Sequence, residues 1–144
     1  MHFRRVEVYW ATVLTGKDGK PYKVDIETYR NYCLQKQGVA EAFPFDQRTL
    51  VHKVAGKIFA ITDVDEFNYI NLKCAPDIAV QLREQYEEVT PGYHMNKKHW
   101  NTVRTTGNIP DTVILQWIDH SYKLVVEQLP KKEQLRLQQF LDTD

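Results

Sequence analysis

The sequence predicts an α+β fold, a two-layer sandwich in which helices cover a mainly antiparallel sheet in the order α-β(3)-α-β(2)-α. Three observations carry that prediction. Apolar residues recur at helical spacing in three segments, residues 25–38, 76–89 and 111–129. Between them stand runs that alternate at period two. The links joining those runs are too short for the crossovers that parallel strands need. At 144 residues the chain suffices for one core and not for two comfortable ones.

Each element has a local cause. Asp25 reads as an N-cap, because its short carboxylate accepts from the free backbone N–H groups of a first helical turn. Ile26, Tyr29 and Cys33 form the apolar stripe of that first helix, and Gly38 supplies a left-handed stop. Cys33 on the stripe reads as a buried thiol. From Thr49 to Cys74 the period shifts to two, through Leu50 and Val54, then Ile58 and Ala60, then Ile70, Leu72 and Cys74. Gly56 permits a tight turn after the first run, and the charged segment DVDEF makes the second connection, so a three-stranded meander is expected. Pro76 at a first helical position and Asp77 near the positive dipole end open a second helix with Ile78, Leu82, Tyr86 and Val89 inward. Arg83 and Glu87 are expected to pair on its wet side. Two strands follow, near Tyr93–Met95 and Trp100–Thr105. The third helix carries Ile114, Trp117, Ile118, Tyr122, Val125 and Leu129 on its core stripe. Pro130 then breaks the chain before a short terminal helix that is amphipathic at Leu135, Leu137 and Leu141.

Composition removes several classes of function. Nineteen basic residues balance nineteen acidic ones, so any preference for an anion must be local. Two cysteines without close spacing and no long apolar run point to a reduced, cytoplasmic protein with no membrane partner. Nucleotide-binding glycine motifs are absent, so no cofactor is expected. Asp119, His120 and Ser121 spell the letters of a catalytic triad, but consecutive helical residues point about 100° apart and cannot align as one. The expectation there is a polar helix face, and no enzymatic activity. His94 and His99, with His52 and His120 as further donors, match no zinc spacing, and no metal is expected.

One stretch is unusual. PGYHMNKKHWNTVRTTGNIP, residues 91–110, contains no carboxylate. It carries Lys97, Lys98 and Arg104 as fixed charges, with His94 and His99 able to add more on mild acidification. Asn96 and Asn101 offer amides, and Trp100 offers a flat ring beside Tyr93. Phosphate oxygens take such donors, so the segment reads as a hairpin that lies along a nucleic-acid backbone. The alternative for the lysines is a solvated turn, and Trp100 and Tyr93 are expected to pack inward, as large aromatics in a small domain do.

The segments EAFPFD, INLKCAP, PGYHMNKKHWNTV, IPDTVILQWIDHSYKLVV and LPKK, in this order, closely resemble the MmcQ/YjbR family of small bacterial proteins. The resemblance spans residues 24–132, leaving 1–23 as an N-terminal extension, in which Val6, Val8 and Trp10 alternate as in a strand, and 133–144 as a C-terminal helix. It implies a fold similar to the type III secretion chaperones. It also implies double-stranded DNA as partner, gripped by two hairpin wings: one about Gly56 with Lys53 and Lys57, the other from Tyr93 to Arg104. Two other readings stay open. One is a protein-interaction domain with a protein partner or a homodimer; the other is a small-molecule or metal site walled by His94, Trp100 and the sheet.

Overall fold

The computed structural model describes residues 24–142, with side chains through residue 138. The expected strand at Val6 to Trp10, the extension to which it belongs and the side chain of Leu141 lie outside the described residues. Among those described, the order is α1 (Ile26–Leu34), β1 (Val39–Ala42), β2 (Thr49–Val54), β3 (Lys57–Asp63), β4 (Tyr69–Lys73), α2 (Pro76–Gln85), β5 (Val89–Pro91), β6 (Trp100–Arg104), α3 (Asp111–Glu127) and α4 (Lys131–Asp142). The strands form one antiparallel sheet in the order β1-β2-β3-β4-β6-β5. Helices α1, α2 and α3 pack on one face of it, so the fold is two-layered α+β. None of the described helices is long and apolar enough to cross a membrane.

Local chemistry explains most boundaries. The carboxylate of Asp25 accepts from Thr28 N at 2.8 Å and starts α1. Pro76 occupies the first turn of α2, where its missing N–H costs nothing. The β2–β3 turn has only Ala55 and Gly56 between paired Val54 and Lys57, with φ of +49° and +79°. Two successive positive φ values give a type I′ turn, whose twist matches the flanking strands. The core joins Tyr29 and Cys33 of α1, Phe59, Ile70, Leu72 and Val103 of the sheet, and Ile114, Ile118 and Tyr122 of α3. Tyr122 meets Phe59 edge-on at 5.4 Å between ring centroids. Each large side chain that is fully buried contributes roughly 1.5–3 kcal/mol of transfer free energy, so this cluster sets the orientation of the sheet beneath the helices.

Several expectations need correction. Strand β1 was not expected: Val-Ala-Glu-Ala lacks a β-branched run and forms through tertiary partners. Its Glu41 accepts from Arg30 of α1 and meets His52 Nε2 of β2 at 3.1 Å. Gly38 is left-handed, but α1 has already ended at Leu34. Helix α2 ends at Gln85, so Val89 belongs to β5, and the strand expected at Tyr93–Met95 lies instead at Val89–Pro91. Ile78 stays exposed while Ala79 takes the buried position. Tyr93 is 66% exposed rather than packed.

The polar helix face expected at Asp119-His120-Ser121 is turned inward, since Asp119 and Ser121 are buried. Asp119 accepts from Tyr32 OH at 2.8 Å and from Lys36, tying α3 to α1. Ser121 donates to Phe59 O and accepts from Lys73 N, tying α3 to the sheet. Burial pushes the Asp119 carboxyl above its ordinary range, against the opposing pull of Lys36 and Tyr32. Cys33 is buried as expected, and desolvation raises its thiol pKa strongly.

Candidate nucleic-acid interface

Strand direction decides which residues meet. In the antiparallel register Val54 precedes the β2–β3 turn, Lys73 pairs with Trp100, and Pro91 pairs with Asn101. The β2–β3 turn, the end of β4 and the β5–β6 loop therefore all emerge from the same end of the sheet. Three strand spacings separate the midlines of the two hairpins, about 14 Å at roughly 4.8 Å per strand. Lys53 and Lys57 flank the first turn, and Lys97 and Lys98 sit in the second loop. Lys73 stands between them at the last position of β4, donating to Gln128 Oε1 at 3.0 Å. Among the described residues none of these five lysines pairs with a carboxylate. The first turn of α2 brings Asp77 to this end, and the C-terminus of α3, where Gln128 meets Lys73, brings Glu127, which pairs with Lys123 at 3.7 Å.

The opposite end gathers acids instead. The β1–β2 loop holds Asp46, and the β3–β4 connection holds Asp63, Asp65 and Glu66. Arg48 bridges the last three at 3.0, 3.3 and 3.5 Å. Glu88, just before β5, belongs to this end too. The backbone N–H groups of Asn108 and of Glu88 itself hold its carboxyl below the usual range, and Arg104 adds to the effect. A neutral total thus conceals charge sorted along the strand axis.

The β5–β6 loop is built from its own backbone. Gly92 N donates to Trp100 O at 2.8 Å, and Met95 N donates to Gly92 O at 3.2 Å. A Cβ on Gly92 would lie 2.7 Å from Trp100 Cβ, so only glycine permits that approach. Asn96 Oδ1 accepts from Lys98 N at 3.0 Å, an Asx turn that closes the tip. Lys97 Nζ donates to Gly92 O at 3.2 Å. His94, at φ +59°, holds its ring centroid 4.0 Å from that of Tyr93, the two planes tilted by 51°.

The expected site residues therefore divide. His94, Lys97 and Lys98 are exposed at the tip with Asn96, whose amide oxygen is spent within the loop. His99 and Trp100 are half-buried at its base, Lys57 is exposed and Lys53 is half-buried. Asn101 is 2% exposed and accepts from Arg83 Nε at 2.7 Å, so it serves the interior. Arg104 lies four residues down β6 from Trp100, about 13 Å at roughly 3.3 Å per residue, among the acids. The loop and its lysines were legible from composition. Arg83 and Lys73 were missed: Glu87 four residues on suggested a local partner for Arg83, and Lys73 lies in a separate strand, outside the acid-free segment.

A pocket walled by His94 and Trp100 was the third expectation. A cavity of about 90 Å³ lies between α2, α3 and the sheet, against Leu72, Cys74, Ile78, Leu82, Trp117 and His120, and neither His94 nor Trp100 lines it. Among the described residues no three His, Cys, Asp or Glu side chains converge as metal ligands.

Comparison with known proteins places this geometry. The uncharacterised protein YjbR of Escherichia coli (strain K12) is 35% identical over 109 residues, covering 75% of this chain and 92% of that protein. The uncharacterised protein YbdF of Escherichia coli O157:H7 is 35% identical over 112 residues, 77% of this chain and 92% of its own. The crystal structure of protein DR2400 from Deinococcus radiodurans, a DUF419 domain, superposes with a TM-score of 0.74 at 34% identity, covering 80% of this chain and 88% of that one. The YjbR family profile matches residues 34–124, which take in the sheet, both hairpins and most of α3, and the chain belongs to the YjbR family.

Proposed function

We propose that this chain is a cytoplasmic, non-enzymatic module that binds double-stranded DNA through the lysine-bearing end of its sheet. The supporting observation is that both hairpin turns emerge from one end, about 14 Å apart by strand spacing, with Lys53, Lys57, Lys97 and Lys98 unpaired by carboxylates among the described residues. Such an array meets phosphates on a rigid polyanion and carries no base-reading set, so binding is driven by counterion release and is weakly selective for sequence. His94, Lys97 and Lys98 form one contact, and Lys53 and Lys57 the other. The acidic end faces away and fixes the orientation. Titration of a labelled duplex with the parent and with Lys97→Ala/Lys98→Ala tests the reading. Weaker, less salt-sensitive binding by the variant supports it, and no binding by the parent at low salt refutes it.

A second reading, docking of a partner protein, is favoured by Phe43 and Phe45, 43% and 68% exposed in the β1–β2 loop at the acidic end. Under that reading Phe45→Ser, and not the lysine variant, abolishes capture of the partner, and a duplex produces no response.

A further inference from the structure

Arg83 lies on α2, outside both hairpins, yet its guanidinium holds the second one together. Its Nε donates to Asn101 Oδ1 at 2.7 Å, and its Nη2 donates to the carbonyl of Lys97 and reaches that of Trp100 at 3.4 Å. Asn101 is itself anchored, its Nδ2 donating to Ala79 O at 3.5 Å one turn earlier on α2. The fork therefore joins a buried amide of β6, a carbonyl at the base of the loop and a carbonyl at its tip. Lys97 O belongs to one of the two lysines at the tip, whose Nζ rests on Gly92 O at 3.2 Å, so fixing that carbonyl fixes the backbone from which the charge is presented.

Nothing else among the described contacts ties the tip to the helical layer. Gly92, Met95, Asn96, Lys98 and His99 bond within the loop, and Cys74 N anchors only its base through His99 O at 2.8 Å. A lysine at position 83 keeps the charge but not the planar fork, and cannot address acceptors on both sides of the loop at once.

We propose that Arg83 is a positioning residue that holds the Gly92–His99 loop in its binding shape, so that α2 sets the placement of Lys97 and Lys98. This rests on the nucleic-acid reading of the loop. The experiment pairs amide hydrogen exchange with duplex titration for the parent, Arg83→Gln and Arg83→Lys, with β3 amides as the internal sign that each variant is folded. In both variants the Met95, Lys98 and His99 amides are expected to exchange about tenfold faster or more while β3 amides keep their rates, since a bond network holding the loop closed is lost. Duplex affinity is expected to fall about three- to tenfold, with the lysine variant failing to restore it. Unchanged exchange in the loop overturns the proposal. Full rescue of affinity by Arg83→Lys also overturns it, because a point charge would then suffice. Faster exchange with unchanged affinity does so as well. Absence of binding by the parent overturns the nucleic-acid reading instead, and the exchange measurement, which needs no ligand, tells that failure apart.

Discussion

Removing Lys97 and Lys98 together has a calculable consequence. Four lysines, Lys53, Lys57, Lys97 and Lys98, occupy the proposed face without carboxylate partners among the described residues. If each neutralises one phosphate, the logarithm of the binding constant falls against the logarithm of salt with a slope of about −3.6, at roughly −0.9 per contact. Raising salt fourfold then weakens the parent about 150-fold. The Lys97→Ala/Lys98→Ala variant keeps two contacts, a slope of about −1.8, and loses only about twelvefold over the same range. Fluorescence anisotropy of a labelled duplex of about 20 base pairs, titrated between about 50 and 200 mM salt, reads both slopes. Arg104→Ala is the internal comparison, since Arg104 sits at the acidic end and its removal is expected to leave the slope unchanged. A parent slope shallower than about −1 refutes the argument, as does an unchanged slope in the double-lysine variant or an equal loss from Arg104→Ala.

Three further outcomes follow from the packing. Asp119 and Lys36 are both largely buried, so Asp119→Ala, which strands the ammonium and Tyr32 OH, should cost about 3–5 kcal/mol in urea unfolding. Lys36→Met with Asp119→Leu should cost much less than that single change, and a double variant as unstable as the sum of its parts refutes the view that desolvation offsets the attraction. His52 is fully buried, and burial depresses its pKa below the ordinary 6.5, Glu41 opposing and Arg30 reinforcing. The unfolded chain then takes up the proton first, so stability is held above pH 6.5 and lost as pH falls through the folded value; His120 is shifted the same way. His52→Gln should flatten part of that loss, and equal pH dependence in parent and variant contradicts the assignment. Cys33 and Cys74 are both buried, with the Cys74 thiol pushed up to about 11, so a disulfide reagent near neutral pH should modify them only on unfolding; rapid reaction in the native state contradicts this.

How far the sequence reached depended on whether a residue's neighbours in space were also its neighbours in the chain. Asp25 caps the turn it begins, Pro76 starts the helix it belongs to, and the Ile114 to Val125 stripe repeats every turn of one long helix, so all three were legible. Strand β1 was not, because its Glu41 finds Arg30 and His52 only after folding. Asp119 was legible as polar but not as buried, for the same reason: Tyr32 and Lys36, more than eighty positions away, are what make its burial tolerable. At the candidate site, Lys97 and Lys98 were visible as the tip of an acid-free turn. Arg104 was grouped with them although a five-residue strand carries it to the far end, and Asn101 was offered to the ligand although it shares the inward parity of Val103. The segregation of lysines from acids is a property of strand order, which composition does not encode.

The most direct test is amide NMR mapping of the protein titrated with a short DNA duplex. Saturable shifts confined to residues flanking Gly56 and to the Gly92–Trp100 loop, with Asp63 to Glu66 undisturbed, are the predicted result. Shifts centred on Phe43 and Phe45 or on the acidic end, or none at low salt, would contradict the claim that the lysine-bearing end of the sheet meets the polyanion.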